Sequence, residues 1–138
     1  MSFASRIEHI AGQAGLKVTV NNDSFVTCGI GLSEGRSQLV HLAPSGDLAG
    51  RDVVRITTPV QELPADLPAN LANQLLKMNS EFKIGSFSII EESGQRILMF
   101  GHNMILDELE PRELSLILAT LAQSGDEYEK KFGDGDRF

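Results

Sequence analysis

The stretch from Leu71 to Phe100, LANQLLKMNSEFKIGSFSIIEESGQRILMF, encodes a helix and then a hairpin, and a long amphipathic segment beginning at Pro111 follows it. Reading outward from it, ELPADLPANLANQLLKMNSEF places Leu67, Leu71, Leu75, Met78 and Phe82 on one face at helical spacing. Asp66 is suited to cap that helix and Pro68 to sit in its first turn, where a missing amide is harmless. KIGSFSIIEE and QRILMFGHNMI read as two strands joined at Ser93-Gly94, with Phe87 and Ile89 on one side of the first. The last helix should begin near Glu110, because Pro111 suits its first position and Glu113 favours the positive end of the helix dipole. Its stripe is Leu114, Ile117, Leu118, Leu121, Tyr128 and Phe132, and Gly125 on the same side permits close approach of another backbone.

Toward the N-terminus, Phe3, Ile7, Ile10 and Ala14 form one apolar stripe on a short helix that Gly15 should stop. LKVTVNN, FVTCGIGL, SQLVHLAP and DVVRITTPV are then short runs rich in β-branched residues, separated by Asn22-Asp23, Ser33-Glu34-Gly35 and an expected turn at Ser45-Gly46. In the fourth run Val54, Ile56 and Thr58 share one face, and Val53, Arg55 and Thr57 the other. The pattern specifies an α+β fold, an antiparallel sheet packed against helices in the order α-β-β-β-β-α-β-β-α. Residues 1–132 form one domain, and residues 133–138, GDGDRF, a flexible acidic tail.

The chain has 138 residues, 41% of them hydrophobic, few aromatics and no Trp, so aliphatic side chains must supply most of the core. Its net charge of -7 opposes phosphate backbones and anionic lipid surfaces, and no basic patch appears along the sequence to override that field. Nucleic acid and membrane are therefore not expected partners. One cysteine, Cys28, forms no internal disulfide, and the charged N-terminus does not resemble a signal peptide, so a cytoplasmic location is expected.

No catalytic signature is present, and no cofactor, metal or catalytic residue is assigned. Gly29, Gly31 and Gly35 do not make a dinucleotide loop, because another strand follows them rather than a helix. Asp134 and Asp136 resemble the start of a calcium loop, but the chain ends before the remaining ligands. His9, His41 and His102 lie on three elements without metal-ligand spacing. Glu91-Glu92 and Asp107-Glu108 read as solvated carboxylates. The enzymatic alternative, which also covers a small-molecule binder, is a pocket around Cys28, His41 and His102, with the thiol as nucleophile. Against it, a cysteine in an apolar strand packs as a small hydrophobe with a raised pKa.

Leu75-Leu76 and Asn79 at the helix end, Gly85 and Phe87 opening the hairpin, Ile97 and Leu98 in its second strand, Leu114 onward, and Asp126-Glu127-Tyr128 carry a resemblance to a known family. From Leu67 to Phe132 the chain resembles the YbjN-like bacterial sensory-transduction regulators, which share a fold with type III secretion chaperones. The resemblance implies a secretion chaperone-like fold and a cytoplasmic, homodimeric protein that binds protein segments and performs no chemistry. Such binding would use strand addition at a sheet edge, or client side chains docked in grooves beside the helices. The function expected is a non-catalytic protein-binding module, chaperone-like or regulatory, that captures a partner or client segment. Phe87, Ile89, Leu116 and Leu118 are the candidate partner-binding residues, and the periodicity of each fits core and interface alike.

Overall fold

A computed structural model describes residues 1–64 and 66–133. Helix α1 (Phe3–Gln13) begins at Ser2, whose hydroxyl accepts the Ser5 amide at 3.1 Å and so satisfies a donor that the first turn leaves unpaired. It stops at Gly15, as expected. With φ at 74°, Gly15 lets the Leu16 amide reach back to the Ala11 carbonyl and its own amide to Gly12. Ala4, Ile7 and Ala11 are buried, with Phe3 and Ile10 packed beside them.

Six strands follow: β1 (Thr19–Asn22), β2 (Phe25–Gly31), β3 (Ser37–Leu48), β4 (Arg51–Leu63), β5 (Ser86–Glu92) and β6 (Gln95–Ile105). Helix α2 (Ala69–Asn79) connects β4 to β5, and α3 (Pro111–Gly133) ends the fold. The strands form one antiparallel sheet in the order β1-β2-β3-β4-β6-β5. The α+β class and the order α-β-β-β-β-α-β-β-α are as the sequence indicates. Residues beyond Gly133, including Asp134 and Asp136 of the expected acidic tail, lie outside the described residues.

The expected turn at Ser45-Gly46 is corrected. Strand β3 continues to Leu48, its register shifts between Pro44 and Asp47, and the chain reverses at Ala49-Gly50. Gly46 (φ 73°) absorbs the irregularity inside the strand. Ala49 (φ 53°) and Gly50 (φ 80°) make the tight reversal, and the Gly50 amide donates to Asp47 Oδ2 at 3.0 Å. The start of α2 is corrected as well. Pro68, extended at φ -58° and ψ 138°, stands at the N-cap with no side-chain cap, so Asp66 does not cap the helix. The Ser93-Gly94 turn is as read, with both residues at positive φ.

The core lies between one face of the sheet and the helices. Val26, Cys28, Val40, Leu42, Val54, Ile56, Leu98 and Phe100 face Ala4, Ile7 and Ala11 of α1 and Leu114, Ile117, Leu118 and Leu121 of α3. The few aromatics are concentrated at the α3 end. Phe87 and Tyr128 meet edge to face at 5.0 Å, and Phe82 and Phe100 at 4.9 Å. Gly85 is required beside them, since a Cβ there would fall 2.5 Å from Phe100 Cε2.

Helix α3 lies close against the sheet at Gly125. A Cβ at this position would lie 2.6 Å from Thr58 Cγ2. Thr58 is fully buried; its hydroxyl donates to the Leu39 carbonyl at 2.7 Å and accepts from Gln38 Nε2 at 2.8 Å, which locks its rotamer. The expected close approach therefore involves a strand side chain. Arg36 reinforces it, with Nη2 on Asp126 Oδ2 at 3.0 Å and Nε on Oδ1 at 3.3 Å. Because Thr58 has no room to move aside, Gly125→Ala should destabilise the protein by about 1–3 kcal/mol, although alanine favours helix. Gly12→Ala on α1, where no atom lies within 4 Å of the new Cβ, should instead stabilise by about 0.5–1 kcal/mol. Urea unfolding of the two variants checks the pair of signs.

Candidate functional site

Strand β5 pairs with β6 alone, so one of its edges has no strand neighbour. Asn79, the last residue of α2, occupies part of that edge. Its Oδ1 accepts the Phe87 amide at 2.7 Å and its Nδ2 donates to the Phe87 carbonyl at 3.1 Å. One side-chain amide thus makes the two bonds that a neighbouring strand would make, blunting an edge open to strand addition. It also ties the C-terminal end of α2 to the sheet.

Elsewhere α2 is lightly held. Leu75 is its one buried residue among those described, with Leu71 and Met78 partly buried, and Leu76 is 69% exposed. Apolar clefts flank the helix. On the β5 side a cleft of about 260 Å³ is lined by Leu75, Leu76, Phe87, Ile89 and Leu98. On the other side a cleft of about 450 Å³ lies among Leu63, Pro64, Pro68, Leu71, Leu98 and Phe132. Leu98 belongs to both.

The candidate partner-binding residues separate by burial. Leu118 is fully buried and Phe87 is 7% exposed, so both belong to the core, although Phe87 also floors the β5-side cleft. Ile89 is half-buried in that cleft, and Leu116 is 58% exposed on the outside of α3. At about 100° per residue, Leu116 and Leu118 point some 200° apart, so one partner surface does not take both. Leu76 and Leu39, the latter 48% exposed on β3, are accessible apolar positions that the reading of periodicity passed over. Leu76 is legible as the apolar residue beside the Leu75 stripe, and Leu39 as the outward residue between Gln38 and Val40.

The pocket expected around Cys28, His41 and His102 does not form. Cys28 pairs with Val40, so His41, the next residue, points to the opposite face of the sheet. His102, on β6, pairs with Ile56 of β4 and lies three strands from Cys28, about 14 Å at the usual strand spacing. Cys28 is buried, its Sγ donates to the Lys17 carbonyl at 3.4 Å, and burial pushes its pKa up, which keeps the thiol protonated. His9 lies on α1, remote from both other histidines, and no cluster of three or more His, Cys, Asp or Glu suited to a metal occurs among the described residues. His41 stacks on Phe25 with ring centroids 5.2 Å apart, and its Nδ1 has no hydrogen-bond partner among the described residues.

An antiparallel sheet with helices over one face, and clefts between helix and sheet, defines a small α+β domain. The chain belongs to the YbjN family, described as a putative bacterial sensory transduction regulator, which matches residues 4–134. The match takes in the N-terminal helix and the first four strands as well as the second half. Comparison with curated proteins gives no match. Among the described residues no helix is long and apolar enough to cross a membrane.

Two outcomes follow from these contacts. Asn79→Ala should cost about 1–3 kcal/mol, because a half-buried amide and carbonyl lose their partner. It should also speed amide exchange at Phe87 more than at Phe100, as read by hydrogen-exchange NMR. His41 has its pKa lowered, mainly by burial. The unfolded chain therefore takes up the proton first as pH falls, so this histidine's contribution is present above pH 6.5 and is lost as pH drops through the lower folded value. Urea midpoints measured from pH 7.5 to 5 should fall with pH, and less steeply for His41→Gln.

Proposed function

We propose that this chain is a non-catalytic regulatory module that captures a segment of a partner protein in the apolar groove between α2 and β5. The observation that carries this reading is Leu76, 69% exposed at the mouth of a cleft whose wall is Leu75, Phe87, Ile89 and Leu98. A large aliphatic side chain in water beside an unfilled apolar cleft gains by meeting a partner's apolar side chain. Asn79 already holds the Phe87 main chain, so the partner docks side chains there instead of adding a strand at that point. With one buried residue and the Asn79 bonds anchoring it, α2 also has less to lose than α1 or α3 by shifting to admit an anchor residue.

The proposal includes a homodimer in a cytoplasmic setting. Leu116 on α3 and Leu39 on β3 are large apolar residues exposed away from the groove, which leaves capture and self-association on separate surfaces. A lone cysteine buried as a protonated thiol suits a reducing compartment.

The test compares the wild-type chain with Leu76→Glu and Leu116→Glu by affinity capture from lysate with mass spectrometry, and by light scattering of each purified protein. A specific partner should be retained by the wild type and weakened at least about tenfold by Leu76→Glu, since a carboxylate would have to enter an apolar cleft. Both variants replace exposed residues and should keep the wild-type circular dichroism. Leu116→Glu should keep the partner and reduce the dimer mass. Equal capture by wild type and Leu76→Glu would remove the groove from the proposal, and a wild-type chain that retains no protein would remove partner capture altogether.

A further inference from the structure

The face of the sheet turned away from the helices carries a second, polar cleft at the β4-β6-β5 end. Its volume is about 470 Å³, within the usual range for small-molecule sites, and its walls include Arg55, Thr57, Lys83, Ser86, His102 and Asn103. The floor is Gly101. Gly101 pairs with Thr57 on one side and Ser86 on the other, so it sits mid-cleft where any side chain would rise into the space. A Cβ there would fall 2.7 Å from Thr57 Cγ2 and 2.9 Å from the Ile56 carbonyl, so the position accepts glycine and the cleft stays open.

The charge of this cleft opposes that of the protein. The chain carries a net charge of -7, yet among the described residues no Asp or Glu lines the cleft. Arg6, Arg36, Arg51 and Arg96 are each engaged by a carboxylate. Arg55 is not: its side chain rests on Asn103 Oδ1 at 3.4 Å, a contact that orients the guanidinium without neutralising it. Lys83 likewise makes no ion pair among the described residues. Reading along the chain finds no basic patch, because Arg55 lies on β4 and Lys83 precedes β5; the sheet brings them together.

We propose that this cleft binds a small phosphorylated molecule, with Arg55 and Lys83 on the phosphate oxygens and the Ser86, Ser88 and Thr57 hydroxyls completing the donor set. A guanidinium fork beside an ammonium and several hydroxyls matches the several oxygens of a phosphate monoester better than the two of a carboxylate. Ile90, also on the cleft wall, offers apolar contact to the remainder of the ligand. The negative field of the whole chain selects against a long polyanion, so the ligand is a metabolite-sized phosphate and not a nucleic acid strand. The proposal does not rest on partner capture, whose groove lies toward α2, and Ser88 and Ile89 border both clefts.

The test is a titration of the ¹⁵N-labelled full chain, followed by NMR, with inorganic phosphate, a panel of nucleoside 5′-monophosphates, a sugar phosphate and citrate. A phosphorylated probe should give saturable shifts centred on Thr57, Ser86, Gly101 and Asn103, weakening as salt is raised, with citrate weaker. Both Arg55→Gln and Lys83→Gln, at exposed positions, should lower the affinity at least about tenfold, the loss of one charge-assisted contact. Arg51→Gln, outside the cleft, should leave it unchanged. Inorganic phosphate binding as tightly as the esters would assign the site to free phosphate, and tighter binding of one ester would identify the class of the organic part; both support the proposal. No saturable shift with any phosphorylated probe, citrate binding as tight as phosphate, or equal affinity in the Arg55→Gln and Lys83→Gln variants would overturn it.

Discussion

The contact between Gly125 and Thr58 sets how closely α3 lies on the sheet, and much else in the fold depends on that distance. Thr58 is buried on the helix-facing side of β4, and its hydroxyl is held by Leu39 and Gln38, so it presents a rigid methyl to whatever crosses above it. Only a helix without a side chain at that point can descend far enough for Leu114, Leu118 and Leu121 to reach full burial. Arg36, just before β3, and Gln38 on β3 then engage Asp126 and Glu129 from the strand side. Polar and apolar contacts on α3 agree on one position for the helix, and this agreement among levels is the mark of a specified fold.

With α1 and α3 over the β2-β3-β4 part of the sheet, α2 is left to cover the β5 end and does so incompletely. The two surfaces of interest both follow from this. Strand β5 alternates between them: Phe87 and Ile89 turn toward α2 and its apolar cleft, whereas Ser86, Ser88 and Ile90 turn toward the bare face and its basic cleft. A displacement of β5 along its own axis would alter both walls together. The bonds from Asn79 to Phe87 sit at the point where such a displacement would be felt first.

Much of the fold was legible in the sequence, because its signals are local. The Ser93-Gly94 turn, Pro111 at the start of α3, Gly15 at the end of α1, and the alternation of Val54, Ile56 and Thr58 each depend on a few neighbouring residues. The misplaced reversal after β3 has a physical reason: Ser45-Gly46 carries the stronger turn signal, but Gly46 spends its positive φ on a bulge, while Ala49 adopts a conformation its side chain disfavours. The candidate sites were less legible. Periodicity ranked Leu116 with Leu118, although only three-dimensional packing tells the exposed one from the buried one. Asn79 was visible as part of a family pattern, but its bonds to Phe87 join residues on different elements. The basic cleft is further from the sequence still, since Arg55 and Lys83 become neighbours only through the order of the strands.

The two clefts differ in their electrostatics. A chain with a net charge of -7 lowers the local concentration of any anion near it, so an anion site on its surface must recover that loss through close, fixed donors. Arg55, oriented by Asn103 and without a carboxylate partner among the described residues, fits that requirement better than the engaged Arg6, Arg36 and Arg51. An apolar cleft is nearly indifferent to the same field, since burial of aliphatic surface carries no charge. Salt therefore acts on the two clefts differently, weakening a short-range ionic contact at Arg55 and Lys83 while leaving the groove under α2 almost unchanged. One edge strand thus borders a polar, basic cleft on one face and an apolar one on the other, and the side-chain alternation of β5 underlies the difference.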